Sequence, residues 1–421
     1  MKINIKTINT KIIIAFLYWI AFEWPLLSKI NNYNSIALIR SIIDIIPISL
    51  MLLNLIFQIY KLKYYEIKIL ACICLIYIIT SISVFIEGQN NFFAIKVITT
   101  SFRYFPFLYL IRKSKFNIRK ILYRHIRIIF WVLFGLSIFE LMNKALFVKI
   151  FLPNATVFAS DINSVPVIYN TKKYEISCTF INTIDFSFFI ILISLYYIFQ
   201  LNTKRKAFLV YILSLIMIFF SLSVASIFLF LIIGWYIFEK YRAIFIAIFV
   251  ILIIAFSTSN LIMIISDTSS IRTYYEISNE YSRVGYFTKL LPEFFKSNIK
   301  DIILGMGISD SIVNNKLLKY DNIPKILYYS ESKIKLLKDV YWIGIILTEG
   351  IIAFFLYISI LSIILRVSNK INEKVDYKII KYLIIITIFL GLFNQPLDVK
   401  SYSFALWVMI GIILRQTNIR N

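Results

Sequence analysis

Lys96 and Arg103 stand seven residues apart in an apolar stretch, a spacing that puts both on one face of a helix. No Asp or Glu occurs anywhere in 92–111 to neutralise them. Two cations facing one apolar cavity need an anion, and a guanidinium is suited to bidentate contact with phosphate. A second arrangement satisfies the same charges without a ligand. In it Lys96 snorkels to the membrane surface and Arg103 pairs with a carboxylate on a neighbouring segment, such as Asp185. Arg40 and Asp44, at i and i+4, are expected to neutralise each other. The single histidine, His125, falls in the basic segment 112–127 and reads as a solvated loop residue.

A second group of residues lies in "EYSRVGYFTKLLPEFFKSNIKDIILGMGISD", residues 280–310. Tyr286, Phe287, Leu290, Leu291, Phe294 and Phe295 recur at spacings of three and four, which predicts an amphipathic helix on the membrane surface or across the mouth of a bundle. Pro292 interrupts that helix. Gly305 and Gly307 then allow a tight turn or a close backbone approach to a ligand. The segment serves either as a plain cover for the bundle or as a lid that takes part in chemistry.

These residues must be positioned by a membrane bundle. Hydrophobic residues make up 60% of 421 positions, and the mean hydropathy is +0.81, more than a water-exposed surface tolerates. Apolar runs long enough to cross about 30 Å of hydrocarbon recur along the chain. Twelve spans are expected, near 12–28, 36–59, 67–86, 93–111, 128–149, 178–201, 207–221, 225–238, 243–265, 340–365, 379–393 and 402–415. The run 207–238 is divided at "SLSVAS" because one helix of that length would overshoot the bilayer.

The fold class is therefore all-α: one polytopic helical bundle over 1–421, with outer loops at 150–177 and 266–339. Charge sets the orientation. The segment 112–127 carries seven Lys/Arg, more than the six in all the short outer loops together, which puts both termini on the cytoplasmic side. The net charge of +23 is spread between spans rather than gathered in a soluble domain, which argues against nucleic acid. Three cysteines, Cys72, Cys74 and Cys178, give neither a disulfide framework nor metal-ligand spacing, and no phosphate-binding loop or zinc-protease motif occurs.

Several motifs together resemble one family. Arg283 precedes the aromatic pair Tyr286–Phe287, "LGMG" follows at 304–307, and "DVYWIGIILTEGIIAFFL" opens a span at 339. With "TFINTIDFSFF" at 179–189 and one dominant late loop, this order is similar to the O-antigen polymerase and ligase superfamily. There a Glu-x-Gly-Ile motif corresponds to "TEGII", with Glu349 one place nearer the glycine. The histidine of the ligase pattern falls on Asp339, which favours a polymerase over a ligase.

The resemblance implies a metal-independent, cofactor-free membrane glycosyltransferase of the bacterial inner membrane. It would build O-antigen or capsule polysaccharide, transferring a growing glycan from undecaprenyl pyrophosphate to a second lipid-linked repeat unit on the periplasmic face. Such an inverting transfer needs positive charge at the departing pyrophosphate and a base for the acceptor hydroxyl. Arg283, Arg272, Arg103 and Lys96 are candidates for the first role. Asp339 is the candidate base, with Asp310 and Glu331 in reserve, or else a carboxylate that merely stabilises the start of its helix. Tyr286, Gly305 and Gly307 complete the expected substrate site. A chain-length regulator is the partner implied by analogy. The alternatives are a lipid-linked oligosaccharide flippase, and a ligase, which differs only in acceptor.

Overall fold

The computed structural model describes most of residues 5–250, residues 291–307 with Lys316, and most of 340–416. The longest stretches outside the described residues are 153–175, 251–290 and 317–339. Among the described residues every regular element is helical.

Seven helices come first: α1 (Ile5–Leu27), α2 (Tyr33–Ile56), α3 (Tyr64–Ile86), α4 (Phe92–Ser101), α5 (Pro106–Arg112), α6 (Ile118–Met142) and α7 (Lys144–Phe151). After them come α8 (Thr183–Phe199), α9 (Lys204–Phe220) and α10 (Val224–Ile237), then two short pieces, α11 (Leu291–Phe294) and α12 (Ile299–Leu304). The chain closes with α13 (Tyr341–Ser368), α14 (Lys374–Leu390) and α15 (Lys400–Gln416). Five of these, α1, α2, α3, α6 and α13, contain stretches long and apolar enough to cross a membrane, and α8 and α10 are shorter apolar helices.

The distribution of side chains is that of a protein surrounded by lipid. On α2, Leu38, Ile42 and Ile45 are 62%, 54% and 57% exposed, whereas the side chains of Arg40 and Asp44 on the same helix are only 29% and 20% exposed. Water would favour the reverse. Helices apolar on every side belong at the centre, and α8 and α15 are buried along nearly their whole length. α15 packs between α5 and α8, and α13 runs along α3.

Three expected spans are interrupted. The span expected at 93–111 is two helices, α4 and α5, separated at 102–105. Pro106 opens α5, and its ring would collide with the Phe102 carbonyl if the helix ran through. The span expected at 128–149 begins ten residues earlier, at Ile118, and stops at Asn143. The Asn143 side chain accepts the Leu146 N–H at 3.0 Å and so starts a separate helix, α7. The early start of α6 places His125 on a helix, half-buried and 3.0 Å from the Tyr18 hydroxyl, rather than in a solvated loop. Between α9 and α10 the chain does divide at Ser221–Ser223, within "SLSVAS", where Ser223 and Ser226 hydroxyls lie 2.8 Å apart.

The third interruption lies inside α13, where Gly350 takes φ 87° and ψ 169°. Residues 266–290 and 317–339 lie outside the described residues, and with them most of the expected outer loop.

Candidate functional site

One end of the bundle gathers a network of buried charge around the break between α4 and α5. Glu23 follows a kink in α1 at Phe22, and its Oε1 accepts from Arg40 Nε of α2 at 2.8 Å. The Arg40 guanidinium also sits 4.8 Å above the Trp24 ring, a cation–π contact that keeps it turned into the bundle. Asp44, one turn further along α2, accepts from Arg103 at 3.1 Å, from Lys400 at 2.7 Å and from the Tyr104 hydroxyl at 3.1 Å. Lys400 reaches Glu23 as well, at 3.4 Å. Three cations and two carboxylates thus interlock across α1, α2, the 102–105 turn and the start of α15.

This arrangement corrects two expectations. Arg40 pairs with Glu23 rather than with Asp44. Arg103 does not share a continuous helix face with Lys96, because the helix ends between them. Arg103 has a partner in Asp44, and its Nε also donates to the Thr100 carbonyl at 3.0 Å. The carboxylate it finds is therefore on α2, and not Asp185. Lys96 lies on α4, and the position of its side chain falls outside the described residues.

A second set of groups continues from the other side of the same break. Ser101, the last residue of α4, donates to Asp398 at 2.7 Å and accepts from the Tyr341 hydroxyl at 3.1 Å. Tyr357, on α13 beyond the Gly350 break, stacks on Phe102 with ring centroids 5.1 Å apart and meets the Tyr341 ring edge-on. Glu349 is buried beside Tyr357 and is close enough to Asp398 for their charges to interact. Ser101 and Arg103 are two residues apart, as are Asp398 and Lys400. The two networks therefore form one polar strip running from the middle of α13 to the end of α1 and the first half of α2.

The motifs 304–307 and 348–352 meet backbone to backbone. Met306 N–H donates to the Leu347 carbonyl at 2.8 Å. A Cβ on Gly305 would collide with the Thr348 carbonyl, and a Cβ on Gly350 with the Ile303 carbonyl. Both glycines have positive φ, 82° and 87°, as does Gly307 at 105°. Phe294 of α11 and Met306 pack with Val340, Ile343 and Leu347 in a small apolar cluster that holds the segment against α13. The helix expected across 286–296 is present among the described residues only as α11, which includes Pro292.

An ion-pair clamp ties the same segment to α3. Glu87 caps the end of α3 and binds Lys300 and Lys316, each at 2.8 Å, and Lys316 reaches Asp301 at 2.8 Å. Partial burial works to raise the Glu87 carboxyl, but hydrogen bonds and charge from the two lysines outweigh it and hold the group below its ordinary range. Burial likewise works to lower Lys316, and its two carboxylate partners outweigh that and hold it above the ordinary range.

Of the residues singled out in the sequence, the structure brings Arg40, Asp44, Arg103, Gly305 and Gly307 to this end of the bundle. Arg272, Arg283, Tyr286 and Asp339, with the reserves Asp310 and Glu331, lie outside the described residues. Sequence reasoning missed Glu23, Ser101, Asp398 and Lys400 as members of the site. Glu23 carried a usable signal, a charge inside the apolar run "AFEWPLL". Asp398 and Lys400 flank an apolar run, and Ser101 is a small hydroxyl inside one; a polar residue does not stand out in either setting.

The arrangement offers positive charge that is matched by carboxylates, together with a chain of hydroxyls leading to a buried carboxyl group. Among the described residues no cluster of three or more His, Cys, Asp or Glu could hold a metal ion. No family model matches the chain, and no curated protein matches it.

Proposed function

We propose that this chain is a membrane glycosyltransferase that polymerises lipid-linked oligosaccharide repeat units, moving the growing glycan from a polyprenyl pyrophosphate to a second unit. The observation that carries the reading is the Arg40–Arg103–Lys400 cluster, three cations drawn from three separate segments to one polar strip. A departing pyrophosphate needs such charge, and Arg is suited to receive it bidentately. In the absence of a ligand Asp44 and Glu23 hold these cations in place, so the diphosphate would bind by exchange, taking over from Asp44 on Arg103 and Lys400.

In this reading about twelve spans cross a bacterial inner membrane with both termini cytoplasmic, and the cation cluster faces the periplasm. The acceptor hydroxyl attacks the anomeric carbon as the carbon–oxygen bond to pyrophosphate breaks, and the hydroxyl proton passes to a base. Asp339 is the proposed base, with Arg283, Arg272, Lys96 and Tyr286 completing the substrate site. The contact of Gly305 with the Thr348–Gly350 backbone supports the resemblance to polymerases, since it places two separately noted motifs in one structural unit. A chain-length regulator would be the protein partner, by analogy alone.

A second reading draws on a different observation. Two helices are interrupted, at 102–105 and at Gly350, and they are linked through the Tyr341–Ser101 hydrogen bond. Discontinuous helices at depth are frequent in transporters, which favours a lipid-linked oligosaccharide flippase as the alternative. A ligase would differ from the polymerase only in its acceptor. Purified protein given lipid-linked repeat units and no energy source separates these readings. A polymerase lengthens the glycan, a flippase only relocates it, and a ligase requires a separate lipid acceptor.

A further inference from the structure

We propose that the break in α13 is a binding site for one small monovalent cation, a proton or a sodium ion, held between the Glu349 carboxylate and the Tyr357 hydroxyl. Glu349 lies within a candidate membrane span and is 5% exposed. Its Oε2 has no hydrogen-bond partner among the described residues. A carboxylate in such surroundings either takes up a proton or is matched by a cation, because an isolated buried charge is too costly to keep.

No side chain among the described residues supplies that match. The one charged group there that acts on Glu349 is another carboxylate, Asp398, which adds to the negative potential. From the packed elements, α4 offers Ser101, and α13 itself offers Tyr341 and Tyr357. Asp301 of α12 is engaged with Lys316, and Glu87 at the end of α3 with Lys300 and Lys316.

A second observation points the same way independently of the carboxylates. Tyr357 is 1% exposed, and its hydroxyl lies within interaction range of Glu349, Ser101 and Tyr341 without completing a well-aligned hydrogen bond to any of them. Two buried polar groups that approach each other yet leave the Glu349 Oε2 without a well-aligned donor mark a place where a small cation completes the contacts. The backbone supplies the remaining feature. At Gly350 the helical hydrogen-bond ladder stops, and carbonyls of the preceding turn are released. One of them, Leu347, takes the Met306 N–H. Non-helical backbone within a span is tolerated where it lines a cavity, and such carbonyls serve as ligands for monovalent ions.

The test uses the full-length protein purified in detergent, with radioactive sodium as the probe and infrared spectroscopy of carboxyl groups as a second measurement. If sodium is the occupant, wild type binds it saturably with one ion per chain. Glu349→Gln then weakens binding by at least about tenfold, as expected for loss of a charge-assisted contact, and Tyr357→Phe weakens it less. If a proton is the occupant, sodium binding is absent, and wild type shows a buried protonated-carboxyl band that disappears in Glu349→Gln. Glu349→Asp, which retains the carboxyl, serves where the Gln variant fails to elute as a monodisperse species. It would shift the sodium affinity or the band rather than abolish it.

Sodium binding unaltered by substitution of Glu349 would overturn the proposal, as would the absence of both sodium binding and a Glu349 carboxyl band. Neither measurement depends on glycan transfer, so the outcome is independent of the proposed polymerase activity.

Discussion

Gly305 and Gly350 are packed so closely that neither can carry a side chain: a Cβ on Gly350 would lie 2.6 Å from the Gly305 nitrogen. Each also holds a positive φ, so an L side chain would be strained even with space around it. This pair turns two distant sequence motifs into one rigid junction between the short helix α12 and the break in α13. It lies at the α13 end of the polar strip, next to Glu349.

Alanine at either glycine is therefore expected to destabilise the protein by more than the roughly 1–3 kcal/mol that an extended positive-φ conformation costs alone. Gly88→Ala is the control, since Gly88 has φ 64° but nothing within 4 Å of its Cβ position. Thermal unfolding in detergent should rank Gly305→Ala and Gly350→Ala well below Gly88→Ala. Equal losses at all three positions would show that the close contact contributes nothing.

Asp44→Asn should free Arg103 and Lys400 from their carboxylate. Inorganic pyrophosphate is then expected to bind about tenfold more tightly, the scale of one charge-assisted hydrogen bond. Arg103→Ala should weaken the same binding by a similar factor. Titration calorimetry reads both, and a wild-type affinity in Asp44→Asn would mean that no exchange of anions occurs at this cluster.

At the opposite end of the bundle, Arg112 and Glu66 form a buried pair at 2.8 Å, with side chains 6% and 1% exposed. Arg112→Ala would leave Glu66 with only the Lys63 N–H at 2.8 Å and the charges of Lys63 and Lys113, at a cost below the roughly 3–5 kcal/mol of a wholly unpaired buried charge. The double change Arg112→Met with Glu66→Leu should recover most of that loss. Stability measurements on the single and double variants decide whether the pair holds the fold or only specifies it.

The clamp at Glu87 predicts a pH dependence. Because the folded-state carboxyl is held below its ordinary range, its stabilising contribution is complete above the unfolded carboxyl pKa and is lost as pH falls through the depressed folded value. Lys316 acts at the other extreme. Its raised folded pKa makes its contribution complete below the unfolded lysine pKa, and it is lost as pH rises through the folded value. Amide exchange across 299–307 should therefore accelerate at the acid and alkaline ends and stay slow between them. In Glu87→Gln the acid limb should be much reduced.

The sequence made the class of fold legible because hydropathy and length respond to the bilayer directly. The division at Ser221–Ser223 was readable for the same reason. The break before Pro106 was signalled by the proline itself, yet the surrounding apolar run concealed it. Pairings were much less accessible. Lys96 and Arg103 look uncompensated when only their own segment is considered, whereas the partner of Arg103 is Asp44, 59 positions earlier, on a helix that meets it only after folding. Glu349 stood out within a motif, but its missing partner becomes evident only when the helices packed around it are in place. The junction of Gly305 and Gly350 is likewise invisible to spacing, since 45 residues separate two motifs that touch.

The central claim is that the Arg40–Arg103–Lys400 cluster serves glycan transfer from a lipid pyrophosphate. The most direct measurement mixes purified protein with polyprenyl-pyrophosphate-linked repeat units, without nucleotide or ion gradient, and resolves the products by chain length. A ladder of lengthened glycans from wild type, lost in an Arg103→Ala variant that remains monodisperse, is the predicted result. Products of unchanged length from well-folded wild type, or an undiminished ladder from Arg103→Ala, would contradict it.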